Sequence, residues 1–82
     1  MKVRPLNARL LKYLKSRKLE KKFERQLAVF LINPKHPSLR TEILEPKSRK
    51  VCSFRIDKKY RSVFIFRNSE IEIIDINDHY QK

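Results

Sequence analysis

Two arginines lie in a stretch that has the pattern of a β-hairpin, the segment SFRIDKKYRSVFIF at residues 53–66. Arg55 stands between the apolar residues Phe54 and Ile56 in an alternating run. Arg61 follows a short polar turn and begins a second run of apolar and β-branched residues. A planar guanidinium binds phosphate or carboxylate through two parallel hydrogen bonds. The pair is therefore a candidate anion site, and the alternative is that both arginines only solvate the polar face of a sheet.

The net charge of the chain is +12 and is unevenly distributed. Residues 1–50 hold 15 basic and 4 acidic side chains, a balance of +11, whereas residues 51–82 hold 6 and 5. A basic excess of this size favours a polyanionic partner, either a nucleic acid or an acidic protein. Ordinary solvated lysines account less well for the asymmetry.

The composition excludes several kinds of functional site. Because the chain has no glycine, it has no P-loop, no GxGxxG nucleotide loop and no nucleophile elbow. The single cysteine, Cys52, permits neither an intrachain disulfide nor a four-cysteine zinc site, and its place in the alternation predicts a core position. No apolar run has the length of a signal peptide or a membrane span, so we expect one cytoplasmic domain of residues 1–82 without a membrane partner.

Two amphipathic helices are predicted in the N-terminal half, after a short strand at residues 2–4. Apolar residues recur at helical spacing after Asn7, which is a good N-cap, and a break is predicted at residues 16–17. The second helix has apolar residues at i, i+4, i+8 and i+11 from Leu19 and ends before Pro34. Its opposite side, called here the basic helix face, consists of Lys18, Lys21, Lys22 and Arg25.

The C-terminal half is predicted to form a sheet. Residues 39–50 are expected to be irregular and basic, and three strands follow at residues 51–56, 60–66 and 71–76. The connections are short enough for hairpins, so the strands form an antiparallel meander. The predicted fold class is α+β in the order β-α-α-β-β-β, with a helical hairpin packed on one face of a small twisted antiparallel sheet. If the apolar residues of the first of these strands face the helices, Arg55 faces away, and that opposite face is open for function.

Three segments of the chain resemble the RelE/ParE superfamily of type II toxin–antitoxin toxins, and most closely its RelE-like branch. They are FLINPKHPSLRTEIL at residues 30–44, SFRIDKKYRSVFIF at residues 53–66 and IEIIDINDHYQK at residues 71–82. With the helical hairpin in front of these segments, the resemblance covers essentially the whole chain. The family fold is a helical hairpin on a twisted antiparallel sheet, which agrees with the predicted elements.

The resemblance implies a toxin that inhibits translation by cutting mRNA in the ribosomal A site. Such a toxin is a ribosome-dependent endoribonuclease, an mRNA interferase, that needs no metal and no other cofactor. Its expected partners are a cognate antitoxin protein, the ribosome and mRNA. Because ParE-like members of the superfamily instead poison DNA gyrase, a catalytically silent toxin that binds a protein target is the alternative.

Metal-free RNA cleavage needs a base for the 2′-OH proton, cations for the charge on the phosphate and an acid for the leaving 5′-oxygen. By resemblance, Arg61 grips the scissile phosphate, Arg55 shares it, and Glu42 is a candidate base. His79 and Tyr80 match a closing His-Tyr pair that acts as acid and base. The RNA-binding candidates are Lys47, Arg49 and Lys50, together with the basic helix face. A lysine with a lowered pKa is an alternative base, so the identity of the base stays open.

Two features depart from the family pattern. Many RelE-like nucleases have a further arginine just after the last strand, where this chain has Asn77 and Asp78. Four acidic residues also lie on or beside that strand, namely Glu70, Glu72, Asp75 and Asp78. Negative charge close to a phosphate site lowers the expected cleavage rate, unless one of the acids serves as a base or orients Arg61.

Overall fold

The computed structural model describes residues 2–78, which form two α-helices, five β-strands and two 3₁₀ turns. The helices are α1 (Ala8–Ser16) and α2 (Glu20–Ile32). The strands are β1 (Lys2–Val3), β2 (Glu42–Ile43), β3 (Cys52–Arg55), β4 (Tyr60–Arg67) and β5 (Glu70–Asp78). The first 3₁₀ turn spans Pro37–Leu39 and the second spans Lys47–Arg49. The α+β class and the helical hairpin are thereby confirmed.

The ends of the two helices follow from local chemistry. Asn7 caps α1, because its Oδ1 accepts a hydrogen bond from the backbone N–H of Leu10 at 2.9 Å. The corner between the helices contains Lys18, whose backbone is left-handed with φ 55°. At the other end of α2 the chain turns extended at Asn33, and Pro34 prevents a further helical turn. The helix start, the break and the helix end that the sequence predicts are all confirmed.

The core lies between the helices and the sheet face that carries Phe54 and Phe64. Phe30 stacks on Phe54 with ring centroids 5.3 Å apart and meets Phe64 edge-on at 5.0 Å. Phe23 also stacks on Phe54, with ring centroids 6.3 Å apart. All four rings are buried, and burial of a side chain of this size contributes roughly 1.5–3 kcal/mol. These contacts fix the position of α2 on the sheet.

The sheet is mixed and has five strands in the order β1-β5-β4-β3-β2. β1 pairs in parallel with β5, and the other neighbours are antiparallel. The prediction of a purely antiparallel sheet is therefore wrong. The helical hairpin carries the chain from β1 at one edge of the sheet to β2 at the other edge. The strands β2 to β5 then lead back across the sheet until β5 lies alongside β1, and this long connection allows the parallel pair. The prediction that residues 39–50 are irregular is wrong at β2, because a two-residue strand is too short to show a period.

The sheet face opposite the helices is not open at every position. Arg55 pairs with Arg61 across β3 and β4, and Ser53 pairs with Val63, so these four residues share that face. Ser53 is 2% exposed, Arg61 is 5% exposed and Val63 is 9% exposed. The prediction of an open face is wrong here, because the Arg61 side chain lies across β3 instead of extending into solvent.

Candidate phosphate-binding site

Three of the predicted catalytic residues converge on neighbouring strands. Arg55 of β3 lies directly opposite Arg61 of β4, and Glu42 of β2 lies opposite Ser53 of β3. Directly opposite residues have Cβ atoms roughly 5 Å apart, and diagonal neighbours are roughly 7–8 Å apart. Glu42, Arg55 and Arg61 therefore form one patch, called here the arginine patch, although they are spread along the sequence.

The Arg61 guanidinium is held by the protein itself. Its Nε donates a hydrogen bond to Ser53 Oγ at 3.0 Å, and its Nη2 donates to the backbone oxygen of Arg40 at 2.6 Å and to that of Ser53 at 3.3 Å. Within residues 2–78, Nη1 has no hydrogen-bond acceptor. Arg61 therefore ties β4 to β3 and to the segment before β2, and it presents only Nη1 and its charge to a ligand.

The charges around Arg61 are unbalanced. Burial lowers the pKa of the Arg61 guanidinium below its usual value, the carboxylate of Glu42 opposes this shift, and the charges of Arg55 and Arg40 add to it. An arginine stays protonated at neutral pH even so. The arginine patch with Arg40 thus contains three guanidinium groups and one carboxylate within interaction range, so its net charge is positive.

Arg40 is a member of this group that the sequence pattern does not single out. It follows the first 3₁₀ turn, its side chain is exposed, and its backbone is left-handed with φ 44° and ψ 50°. Arg40 belongs to the segment at residues 30–44 that carries the resemblance, but the sequence gives no signal for its left-handed backbone, because a positive φ is expected at glycine, asparagine or aspartate and not at arginine.

Arg55 and Glu42 have side chains that the fold leaves available. Neither takes part in an ion pair within residues 2–78. The residue directly opposite Arg55 is Arg61, so Arg55 has no acid directly opposite it in this register. Like charges directly opposite each other destabilise a sheet. An arrangement that costs stability is more readily explained by ligand binding than by folding.

The backbone of Arg55 is anchored from the helical side. Gln26 of α2 donates from Nε2 to the backbone oxygen of Arg55 at 2.9 Å and to that of Ser38 at 3.2 Å. One side chain thus joins α2, the end of β3 and the first 3₁₀ turn. The turn is also stabilised by His36, whose Nδ1 accepts a hydrogen bond from the N–H of Ser38 at 3.1 Å. The arginine patch is therefore built on a fixed scaffold.

The predicted RNA-binding residues of the β2–β3 connection lie at a distance from the arginine patch. Lys47 and Arg49 belong to the second 3₁₀ turn, and Lys50 follows it; all three are exposed. They stand beyond the Cys52 end of β3, whereas Arg55 is at the other end, about 10 Å away along the strand. Within residues 2–78, none of the three forms a hydrogen bond or an ion pair with a side chain of the arginine patch.

The basic helix face lies at the same end of the sheet as Arg55. Lys22 Nζ is 3.2 Å from Asp57 Oδ2, in the turn between β3 and β4. Asp57 therefore neutralises part of the positive charge of the basic helix face. Lys18, Lys21 and Arg25 are exposed and form no ion pair within residues 2–78. Lys21 and Arg25 are therefore the free cations of the basic helix face on α2. The prediction that Lys18 lies on that face is wrong, because Lys18 stands in the left-handed corner before α2 begins at Glu20.

The acidic residues near the last strand are paired with bases. Asn77 stands opposite Arg61, and its Nδ2 donates to Asp75 Oδ2 at 3.1 Å. The four ion pairs are Arg4–Glu70 at 3.1 Å, Arg67–Glu72 at 2.7 Å, Arg9–Asp75 at 3.6 Å and Lys59–Asp78 at 4.0 Å. Each of the four acidic residues that distinguish this strand from the family pattern thus has a basic partner that offsets its charge. His79 and Tyr80 lie outside the described residues.

An apolar groove of about 550 Å³ borders the arginine patch on the helical side. Its walls include the buried ring of Phe30, the half-buried Cys52 and two exposed apolar side chains, Ile43 at 56% and Phe66 at 55%. Arg40 and Glu42 line it as well. Burial raises the pKa of the Cys52 thiol, so the thiolate that would react is disfavoured. Cys52 packs at the edge of the core, in agreement with the prediction.

Within residues 2–78, no three histidine, cysteine, aspartate or glutamate side chains are grouped so that they can hold a metal ion. In the same part of the chain, no helix has the length and apolar character that a membrane crossing requires.

No protein-family model matches the chain. An uncharacterized protein of Haemophilus influenzae is 35% identical to it over 43 residues. The match covers 52% of this chain and 43% of the Haemophilus protein, so the chain spans less than half the length of that relative.

Proposed function

We propose that this protein is a RelE-like toxin of a type II toxin–antitoxin system and acts in the cytoplasm as a ribosome-dependent, metal-free mRNA endoribonuclease. Its partners in this proposal are a cognate antitoxin, the ribosome and mRNA. The observation that carries the proposal is the convergence of Glu42, Arg55 and Arg61 on one patch with an excess of positive charge. The α+β arrangement of two helices packed on a five-stranded mixed sheet is compatible with it.

The residues of the arginine patch have the chemistry that RNA cleavage needs. The exposed carboxylate of Glu42 takes the proton of the 2′-OH, and the resulting alkoxide attacks the adjacent phosphorus. Arg55 binds a non-bridging phosphate oxygen and stabilises the charge that builds on it. The 5′-oxygen leaves with a proton, and a 2′,3′-cyclic phosphate remains. By resemblance, His79 or Tyr80 donates that proton.

Arg61 has a different part in this mechanism from the one that the resemblance implies. Because two of its three nitrogens are bonded to Ser53 and Arg40, it positions the patch and adds a buried charge beneath the phosphate. It contacts the phosphate through Nη1 alone.

The basic helix face gives the toxin a second contact with the ribosome. Lys21 and Arg25 of α2 and Lys18 in the corner before it are exposed, and the α2 residues Lys22 and Gln26 contact Asp57 and the backbone of Arg55. In the proposal the three exposed cations bind ribosomal RNA while Arg55 reaches the mRNA. Binding through phosphate contacts of this kind weakens steeply as the salt concentration rises.

The experiment that tests the proposal is translation of a defined mRNA in a reconstituted system, with cuts mapped by primer extension. Wild-type protein should cut within A-site codons only when ribosomes are present. Glu42→Gln should lower the single-turnover cleavage rate about 100-fold or more, since general base catalysis contributes about 10²–10⁴-fold. Arg55→Gln should lower it about 100-fold, as the loss of one donor to a developing charge does. The matched control is Lys12→Gln, which removes one charge from an exposed position of α1. This variant should cleave mRNA at the wild-type rate.

Intact mRNA at a high concentration of folded wild-type protein would refute the proposal. Cleavage that is unaffected by both Glu42→Gln and Arg55→Gln would refute the assignment of the site.

The apolar groove favours a second candidate function, a toxin that binds a protein target such as DNA gyrase. Ile43 and Phe66 are exposed on its walls, and exposed apolar surface of this kind marks protein contacts. In that case gyrase supercoiling activity should fall in the presence of wild-type protein and recover with Phe66→Ser, whereas Arg55→Gln should inhibit like wild type. Unchanged supercoiling would exclude this candidate.

A further inference from the structure

Arg40 has an unusual backbone for its residue type. Its φ of 44° and ψ of 50° lie in the left-handed region, where only glycine, and less often asparagine or aspartate, is readily accommodated. The side chain is exposed and makes no hydrogen bond and no ion pair within residues 2–78. Packing therefore gives no reason for an arginine at this position.

The conformation of Arg40 is held by neighbouring groups. Its N–H donates to the backbone oxygen of Pro37 at 3.2 Å, and its own backbone oxygen accepts the 2.6 Å hydrogen bond from Arg61 Nη2. The buried guanidinium of Arg61 thus fixes the backbone from which the Arg40 side chain projects. The left-handed backbone alone does not distinguish Arg40, because Lys18 and Lys50 share it. What distinguishes Arg40 is the hydrogen bond that its backbone oxygen accepts from the buried Arg61 guanidinium.

The charges of the patch also leave Arg40 without a counter-ion. Glu42 is the one carboxylate among the charges that act on Arg61, and Arg40 and Arg55 act against it. Within residues 2–78, neither Arg40 nor Arg55 forms an ion pair. The guanidinium groups of Arg40 and Arg55 have no counter-ion and lie near the buried guanidinium of Arg61. This arrangement is suited to binding successive phosphates of a nucleic acid.

We propose that Arg40 is a further phosphate ligand and binds the phosphodiester next to the one held by Arg55. The inference deepens the proposed function and rests on it for the identity of the RNA. Arg40 extends the site along the strand of RNA, so that Arg55 contacts the scissile phosphate and Arg40 contacts its neighbour.

The variant that tests the inference is Arg40→Gly, because glycine accepts the left-handed backbone and keeps the carbonyl that Arg61 binds. A loss of binding in this variant is therefore separable from a loss of folding. Asn68→Gly, at another left-handed position with φ 52° in the β4–β5 turn, controls for the backbone change. Lys12→Gln controls for the loss of one charge, and Arg40→Lys tests rescue by the conservative cation.

The readout is the affinity for a short single-stranded oligoribonucleotide, measured by fluorescence anisotropy over a range of salt concentrations. For a single strand, the slope of log K against log salt falls by about 0.7 for each phosphate that the protein no longer neutralises. Arg40→Gly should lower the slope by about that amount and weaken binding about tenfold at low salt, the effect of one charge-assisted hydrogen bond. Asn68→Gly and Lys12→Gln should keep the wild-type slope, and Arg40→Lys should restore most of it.

A wild-type slope for folded Arg40→Gly would overturn the inference. So would an equal fall in slope for Lys12→Gln, because the effect would then be general electrostatics. If Arg40→Gly shows the smaller salt slope of RNA binding while wild-type protein leaves mRNA intact on ribosomes, the phosphate contact stands and the endoribonuclease proposal fails. If wild-type protein cuts mRNA and Arg40→Gly keeps the slope, only the inference fails.

Discussion

Replacement of Arg61 should destabilise the fold strongly, whatever its effect on activity. Arg61→Met keeps an apolar stem of similar length and removes all three hydrogen bonds of the guanidinium. The Oγ and backbone oxygen of Ser53 and the backbone oxygen of Arg40 then lose these donors in a site where Arg61 is only 5% exposed. At the lower limit of about 1 kcal/mol for each acceptor, the loss is about 3 kcal/mol.

A loss of this size is a large fraction of the total stability. An 82-residue domain has a free energy of unfolding of roughly 4–12 kcal/mol. The melting temperature should fall by roughly 12–24 °C, since 1 kcal/mol corresponds to about 4–8 °C in a domain of this size. Urea unfolding followed by circular dichroism measures the first quantity and a thermal scan measures the second.

Arg55→Met is the matched control for Arg61→Met. Arg55 lies opposite Arg61 and its side chain makes no hydrogen bond within residues 2–78. Its replacement also removes a repulsion between like charges, so the free energy of unfolding should change by less than about 0.5 kcal/mol. If Arg61→Met unfolds within about 0.5 kcal/mol of wild type, or no earlier than Arg55→Met, the structural role assigned to Arg61 is wrong.

Three further predictions concern stability. Asn7→Ala should lower the free energy of unfolding by about 1 kcal/mol, measured in urea, because α1 loses its N-cap. Lys50→Gly should raise it by about 0.5–1 kcal/mol in the same assay, because Lys50 has a left-handed backbone with φ 55°. Burial tends to raise the pKa of Asp57, but hydrogen bonds from the N–H groups of Tyr60 and Lys59 and from Lys22 outweigh it and lower the pKa from its ordinary 3.8. The ionised Asp57 therefore stabilises the fold above about pH 4, and this stabilisation is lost as the pH falls through the lowered pKa. Between pH 5 and pH 2, the free energy of unfolding should consequently fall less in Asp57→Asn than in wild type.

Each of these predictions has a contradicting result. An unchanged urea midpoint for Asn7→Ala would mean that the cap does not stabilise α1. A destabilised Lys50→Gly would mean that its side chain makes contacts that offset the backbone strain. Identical acid sensitivity of Asp57→Asn and wild type would mean that other carboxyl groups determine unfolding in acid.

The main elements of the fold could be predicted because each has a strong local signal. The apolar spacing from Leu19 to Phe30, the cap at Asn7 and the proline at position 34 define the helical hairpin. The alternating residues of β3 and β4 likewise define a hairpin. The parallel pair of β1 with β5 could not be predicted in this way. It joins segments almost 70 residues apart, and β1 has only two residues, too few to show the alternating pattern of a strand.

The sequence points to three residues of the arginine patch, Glu42, Arg55 and Arg61, but not to their arrangement. The residue types of Arg55 and Arg61 indicate an anion site, and the register confirms that they are neighbours. The sequence does not show that Arg61 folds back onto Ser53, since that contact depends on the side-chain rotamer. It also does not show that Arg40 lies beside Arg61, because that contact is made by the backbone oxygen of Arg40.

The central claim is tested most directly by the chemistry of the new 3′ end on ribosome-bound mRNA. Programmed ribosomes are incubated with wild-type protein, Glu42→Gln or Lys12→Gln, and the fragments are analysed by mass spectrometry. The account predicts a 2′,3′-cyclic phosphate at an A-site codon for wild type and Lys12→Gln, formed only when ribosomes are present and at least about 100-fold more slowly with Glu42→Gln. Fragments that end in a 3′-hydroxyl, or no fragments at all from folded wild-type protein, would contradict it.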